Sequence, residues 1–266
     1  MPHFAAGGGA IGGHRVSAPE VQVKICGLQP DDELSFTEHP RVSHVGFVFV
    51  EASKRFVHPS RARRATVRLA ADTEAVGVFA NATVDEIAST VAVAGLDIAQ
   101  LHGDESPEVC RDLQQRGFRV WKAIQVPSEG AQLDDVRREV HRYATCTDAI
   151  LLDAKPPTGA GVTGGHGQSF DWTVLGRIAQ DITGHPWFVA GGIRPDNVGT
   201  LLSLCRPTGI DVSSGVERGG RKDPALIQSL LTNVHRPLTP TSQTITRGEG
   251  GRVFPIIHSC TGGEQR

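Results

Sequence analysis

The chain has 266 residues, with 27 Lys and Arg against 29 Asp and Glu and a hydrophobic share of 39%. That suffices for one large domain or two small ones with an ample core, and the near-zero charge gives no support to a nucleic-acid or membrane-surface partner. No apolar run approaches the roughly 18 residues of a membrane span, and five scattered cysteines without a CxxC fit a reducing cytosol better than a disulfide scaffold.

Residues 1–19 are rich in Gly and Ala and lack a basic segment followed by an apolar core, so they read as a flexible extension, not a signal peptide. Eight short apolar runs follow, at 21–26, 44–50, 75–80, 96–101, 119–124, 148–153, 186–190 and 208–213. Most are rich in Val, Ile, Leu and Phe, as expected of strands buried on both faces of a parallel sheet. A first helix is expected around 30–39. Thr83-Val84-Asp85-Glu86 opens another as a capping-box-like sequence, and Ser106-Pro107-Glu108 opens one with Pro at its first position. Gln132, Leu133, Val136, Val140 and Tyr143 carry helical spacing. Asp171 begins a helix to about 181, Pro195-Asp196-Asn197 begins the next, and Asp223-Pro224 the last, ending near Asn233. Eight βα units in series predict an α/β protein, a single (β/α)8 TIM barrel over 20–236, in place of a doubly wound sheet. From 237 to 266 the pattern stops in a low-complexity tail, interrupted by an apolar island at 253–257.

Barrel enzymes hold their reactive groups at the C-terminal ends of strands. Cys26 ends the first strand there. Lys24, two residues earlier, points to the same side, and its ammonium would favour the thiolate; the alternative is a buried core cysteine. Asp153 ends an otherwise apolar strand, where low dielectric favours a proton-donating carboxyl near neutral pH; the alternative is a helix cap or a loop charge. Gly164-Gly165-His166-Gly167, Ala190-Gly191-Gly192-Ile193 and Ser213-Ser214-Gly215-Val216 follow the last three strands, where backbone N–H groups of barrel loops cradle phosphate. They point to a small phosphorylated substrate. Arg55, after the second strand, is either a carboxylate clamp or a solvated charge. His102 reads as a packed, hydrogen-bonded histidine rather than a ligand or base. No HExxH, paired His/Cys spacing or GxxxxGK[ST] occurs, so no metal, nucleotide or redox cofactor is expected.

Taken in order, these segments closely resemble the phosphoribosylanthranilate isomerase family, barrel enzymes of tryptophan biosynthesis. The matching stretches are Lys24-Ile25-Cys26-Gly27-Leu28, Gly46-Phe47-Val48-Phe49 with Ser53-Lys54-Arg55-Phe56-Val57, Gly77-Val78-Phe79-Ala80-Asn81 and Gln100-Leu101-His102-Gly103-Asp104-Glu105. Leu151-Leu152-Asp153-Ala154, Gly164 to Trp172, Ala190-Gly191-Gly192 and Asp211-Val212-Ser213-Ser214-Gly215-Val216-Glu217 complete the set, covering about 21–234.

The resemblance implies an Amadori rearrangement of N-(5-phosphoribosyl)anthranilate without a cofactor. Cys26 would be its general base and Asp153 its general acid. Arg55 would hold the anthranilate carboxylate, and Gly191, Gly192, Ser214 and Gly215 the phosphate, helped by the loop containing Gly165. Asp211 matches a family aspartate near the substrate. A cytoplasmic monomer or homodimer is expected. The sequence departs from the family at His166 and Gln168, where Thr and Lys are usual, in a Pro/Gly-rich insertion at 155–162, and at Lys54. Competing readings are the histidine-pathway isomerase, which tends to use two aspartates, indole-glycerol-phosphate synthase, and a catalytically silent phosphate-binding barrel.

Overall fold

The computed structural model describes residues 20–127, 133–154, 172–182 and 184–235. Eight parallel strands close into a barrel: β1 (Gln22–Cys26), β2 (Val42–Val48), β3 (Glu74–Phe79), β4 (Ile98–Leu101), β5 (Arg119–Val126), β6 (Ala149–Ala154), β7 (Trp187–Val189) and β8 (Gly209–Val212). Each pairs with the next, and β8 returns to β1 with Asp211 opposite Lys24. All eight expected strands are present within a few residues of their expected ends.

Around them lie α1 (Pro59–Thr66), α2 (Val84–Ala94), α3 (Pro107–Gln115), α4 (Leu133–Ala144), α5 (Leu175–Ile178), α6 (Val198–Leu204) and α7 (Pro224–His235). The expected capping box forms in full. Thr83 Oγ1 accepts from the Glu86 N–H while the Glu86 carboxylate accepts from the Thr83 N–H. Pro107 occupies the first turn of α3.

Two helices differ from expectation. Instead of a helix over 30–39 there is one 3-10 turn, Ser35–Glu38. Leu34 and Phe36 are both buried, and residues two apart cannot share one face of an α-helix. Asp32 also turns its carboxylate onto the Gln29 N–H, which fixes the segment as a turn. The helix expected over 171–181 is cut short: a 3-10 turn, Trp172–Val174, leads into the single turn of α5. Its start at Asp171 lies outside the described residues, as do the 1–19 extension, the 237–266 tail and the whole 155–168 loop.

Period-two alternation divides each strand between two layers. Val23 and Ile25 of β1, Val45 and Phe47 of β2, Ile150 and Leu152 of β6 and Ile210 and Val212 of β8 face outward into one continuous core under the helices. Fully burying such a side chain contributes about 1.5–3 kcal/mol, so this outer layer carries most of the stability. The barrel interior is smaller and mixed. Val76, Ile98, Trp121, Ala149, Leu151 and Phe188 fill one part of it, and Cys26, Val48 and Val78 another. Lys24, Gln100, Lys122, Asp153 and Asp211 are buried polar residues on the same strands.

After β8 the chain makes an unexpected structure, a two-residue hairpin of β9 (Glu217–Arg218) and β10 (Arg221–Lys222). Gly219 and Gly220 between them have φ of 59° and 77°, the left-handed pair that a tight type I′-like loop requires.

Candidate active site

The C-terminal ends of the strands gather the candidate residues at one mouth. Cys26 closes β1 with its thiol turned inward, 8% exposed. Gly46, beside it on β2, makes the space: a Cβ there would stand 2.6 Å from the Cys26 Sγ and 3.1 Å from the Lys24 Nζ. The ammonium of Lys24 is fully buried and donates to Asp211 Oδ2 at 3.0 Å.

The thiol does not respond as the Lys24 spacing alone suggests. Burial raises the Cys26 pKa, and the Lys24 charge offsets that only in part, so the net direction is upward. The ammonium is shared with Asp211. Burial would lower the Lys24 pKa, but the Asp211 carboxylate above all outweighs it and raises the value. At rest, therefore, the site favours a neutral thiol beside an ion pair. Asp211 lies beneath this thiol as the partner of Lys24. Its Oδ1 is buried with no hydrogen-bond partner among the described residues.

Asp153 is the penultimate residue of β6, with 6% exposure. His102 Nε2 lies 3.1 Å from its Oδ2, and His102 Nδ1 lies 3.1 Å from Gln100 Nε2. With the amide in that orientation Gln100 donates to Nδ1, which leaves the imidazole proton on Nε2 to donate to Asp153. His102 is thus hydrogen-bonded, as expected, but to the candidate acid itself. Its loop is tied down from below. Glu105 accepts from the N–H groups of Asn81 and Gly103, and Lys122 reaches Glu105 Oε2 at 3.0 Å and the Gly103 carbonyl at 2.6 Å. A cavity of about 510 Å³ opens on this side, lined by Asn81, His102, Lys122, Ile124 and Gln125 among others.

Arg55 follows β2, four strands round the barrel from the β6 that carries Asp153, and lies against Gly27, the residue after Cys26. Its Cδ covers Gly27 so closely that a Cβ on that residue would collide with it. Far from being a solvated loop charge, it is 8% exposed and pairs side-on with Glu217, Nε to Oε1 at 2.8 Å and Nη2 to Oε2 at 2.9 Å. Lys222 approaches the same carboxylate at 2.7 Å and also donates to the Ser213 carbonyl. Burial alone would raise the Glu217 carboxyl. Hydrogen bonds and charge from Arg55 and Lys222 reverse this and hold it at about 2.

The glycine segments after β7 and β8 lie side by side. Gly191 and Gly192 have φ of 90° and 67°. Ser214 and Gly215 form a 3-10 turn with Val216, and a Cβ on Gly215 would run into the Ile193 carbonyl. No turn or loop carbonyl among the described residues accepts from the N–H of Gly192, Ser214 or Gly215. Gly165, the remaining candidate, lies outside the described residues, as do His166 and Gln168. Among the described residues no group of three His, Cys, Asp or Glu is placed to hold a metal ion, and no helix is long and apolar enough to cross a membrane.

Glu217, Lys222 and the Lys122–Glu105 pair were not among the expected site residues. For the first two a signal existed: Glu-Arg-Gly-Gly-Arg-Lys is a two-residue hairpin sequence, and hairpin pairing sets its first and last residues opposite each other. For Lys122 and Glu105 none did, because their meeting depends on the barrel's register.

Residues 23–233 match the family model described as "N-(5'phosphoribosyl)anthranilate (PRA) isomerase". An N-(5'-phosphoribosyl)anthranilate isomerase of Mesorhizobium japonicum is 39% identical over 219 residues, 80% of this chain and 95% of that protein. The crystal structure of the phosphoribosyl anthranilate isomerase of Thermotoga maritima superposes with a TM-score of 0.68 at 34% identity, covering 80% of this chain and 98% of the other. A phosphoribosyl anthranilate isomerase solved in complex with reduced 1-(o-carboxyphenylamino)-1-deoxyribulose 5-phosphate is similar at TM-score 0.66 and 32% identity, with the same coverage.

Proposed function

The chain belongs to the phosphoribosylanthranilate isomerase family, and from that premise we propose how its residues divide the reaction. It is an isomerase of tryptophan biosynthesis that converts N-(5-phosphoribosyl)anthranilate to 1-(2-carboxyphenylamino)-1-deoxyribulose 5-phosphate. The reaction asks for one acid, one base and a phosphate anchor.

Asp153 gives a proton to the furanose ring oxygen as the C1′–O bond breaks, and the anthranilate nitrogen lone pair forms the Schiff base. Cys26, as thiolate, removes the C2′ proton. The C–H electrons become the C1′–C2′ double bond, and those of the C=N bond return to nitrogen. The enolamine then loses its hydroxyl proton and gains one at C1′ to give the ketone. Lys24 stays charged beside Cys26 and compensates the thiolate as it forms. His102 orients the Asp153 carboxyl through its Nε2. Arg55 takes the anthranilate carboxylate, and the backbone of Gly191, Gly192, Ser214 and Gly215 takes the phosphate, with Gly165 assisting. These residues lie in one barrel domain spanning 20–236, in a cytoplasmic enzyme.

The observation that carries this reading is the placement of one inward thiol and one inward carboxyl on β1 and β6 of the same mouth. The test is isomerase activity on freshly generated phosphoribosylanthranilate, followed by loss of its fluorescence. Cys26→Ala and Asp153→Asn are each expected to fold and to lose nearly all turnover. Wild-type rates in both would remove the acid and base assignments.

A further inference from the structure

A carboxylate clamp works best when its guanidinium is held before the ligand arrives, because a free Arg side chain must give up its rotamer freedom on binding. Arg55 is held in that way. A guanidinium has a side-on edge, Nε with Nη2, and an end-on edge, Nη1 with the second Nη2 proton. Glu217 occupies the side-on edge with both oxygens, at 2.8 and 2.9 Å. The end-on edge is left to receive a second carboxylate, and no hydrogen bond from Nη1 to a described residue competes for it. Gln29 Nε2 fixes the Arg55 carbonyl at 3.1 Å, and the stem lies against Gly27.

Charge leads to the same conclusion. Arg55, Glu217 and Lys222 together carry one net positive charge, the complement of a single carboxylate. Without Glu217, two buried cations would face each other across its place, since Lys222 pairs with that same carboxylate at 2.7 Å. Glu217 and Lys222 are directly opposite in the hairpin register, and Arg221 ties the hairpin to Asp32 in the loop after β1.

We propose that Glu217, presented by the β9–β10 hairpin, is a positioning residue that fixes Arg55 for end-on recognition of the substrate's aryl carboxylate and thereby sets the preference for anthranilate over an unsubstituted aniline. This rests on the assignment of the carboxylate to Arg55.

The experiment is titration of two unreactive ligands, the reduced product 1-(2-carboxyphenylamino)-1-deoxy sugar phosphate and the same compound lacking the aryl carboxylate. Wild-type protein is expected to prefer the carboxylated ligand by at least about tenfold, as a charge-assisted bidentate pair provides. In Glu217→Gln that preference should shrink to about threefold or less, with the decarboxylated ligand bound within about twofold of wild type. Glu217→Asp keeps the charge that Lys222 needs but is too short to span both guanidinium nitrogens. It provides the same test with less demand on folding. An unchanged preference in both variants, or equal weakening of both ligands, would overturn the role of Glu217. Equal binding of the two ligands by wild-type protein would overturn the Arg55 assignment itself, and the proposal with it.

Discussion

Lys24 and Asp211 meet inside the barrel at 3.0 Å, 187 residues apart in sequence, with side chains 0% and 7% exposed. Each is the other's compensation for burial, and together they form the floor under Cys26. Removing one partner strands the other charge in low dielectric.

Lys24→Met is therefore expected to destabilise the protein by about 3–5 kcal/mol, measured as the shift in urea unfolding. A loss under about 1 kcal/mol would mean that Asp211 finds another partner or stays neutral.

Cys26 should leave its mark on the pH profile. Burial raises its pKa above the ordinary thiol value, so at neutral pH the thiolate is a small fraction that grows about tenfold per pH unit. The kcat/KM of the enzyme is expected to rise through neutral pH, with the limb assigned to Cys26 levelling only above 9.0. A limb that levels below pH 7 would show that Lys24 outweighs burial.

Arg55→Ala should raise KM by about tenfold or more while kcat falls less, the pattern of lost ligand binding. Glu217 also pairs with Lys222 at 2.7 Å, a partner the variant retains, so the fold should persist. Steady-state kinetics with a circular dichroism control checks it, and an unchanged KM removes Arg55 from the carboxylate.

Gly46→Ala tests the space around the thiol. The added methyl would lie 2.6 Å from Sγ, so the thiol must move. A misplacement on the order of 1 Å can cost about 100-fold. The expected result is a kcat loss well beyond any change in melting temperature. Wild-type kcat would show that Cys26 relocates without penalty.

His44 lies on β2 in the barrel interior, edge-on to the rings of Trp121 and Phe188. Burial lowers its pKa to about 4, although Glu74 opposes the shift. In the unfolded chain it protonates near its ordinary 6.5. Its contribution to stability is therefore complete above pH 6.5 and is lost as pH falls toward 4, at up to about 1.4 kcal/mol per pH unit. Glu217 begins to contribute only below its ordinary 4.5; His185, whose pKa burial also lowers, shares the window above that, so a His44 variant is needed to separate the two. His44→Phe is expected to flatten the stability curve there, measured by urea unfolding across pH. An undiminished slope would assign the acid sensitivity elsewhere.

What could be read in the sequence was what local chemistry decides. Strands buried on both faces have continuous apolar runs, and Cys26, Asp153 and the glycine pairs are conspicuous because they interrupt such runs at one end. The capping box at Thr83 is likewise local and formed as expected. The helix expected over 30–39 gives way to a 3-10 turn because Leu34 and Phe36 need burial two residues apart. The partners of the site residues were not legible. Lys24–Asp211, His102–Asp153, Lys122–Glu105 and Arg55–Glu217 join residues brought together only by the closed register, and burial reverses the effect on Cys26 that its nearest cation suggests.

The pairing of β1 with β8 has a consequence for the chain as it is made. Cys26 leaves the ribosome well before Asp211, which completes its floor 185 residues further along the chain. At roughly 5–20 residues per second the thiol waits about 10–40 s on the nascent chain before its strand gains its last neighbour. Until then its sulfur lacks the packing against Val48 and Val78 that leaves it 8% exposed in the closed barrel. The Glu217–Lys222 hairpin follows β8 within a few residues, so Arg55 gains its partner as the thiol gains its floor.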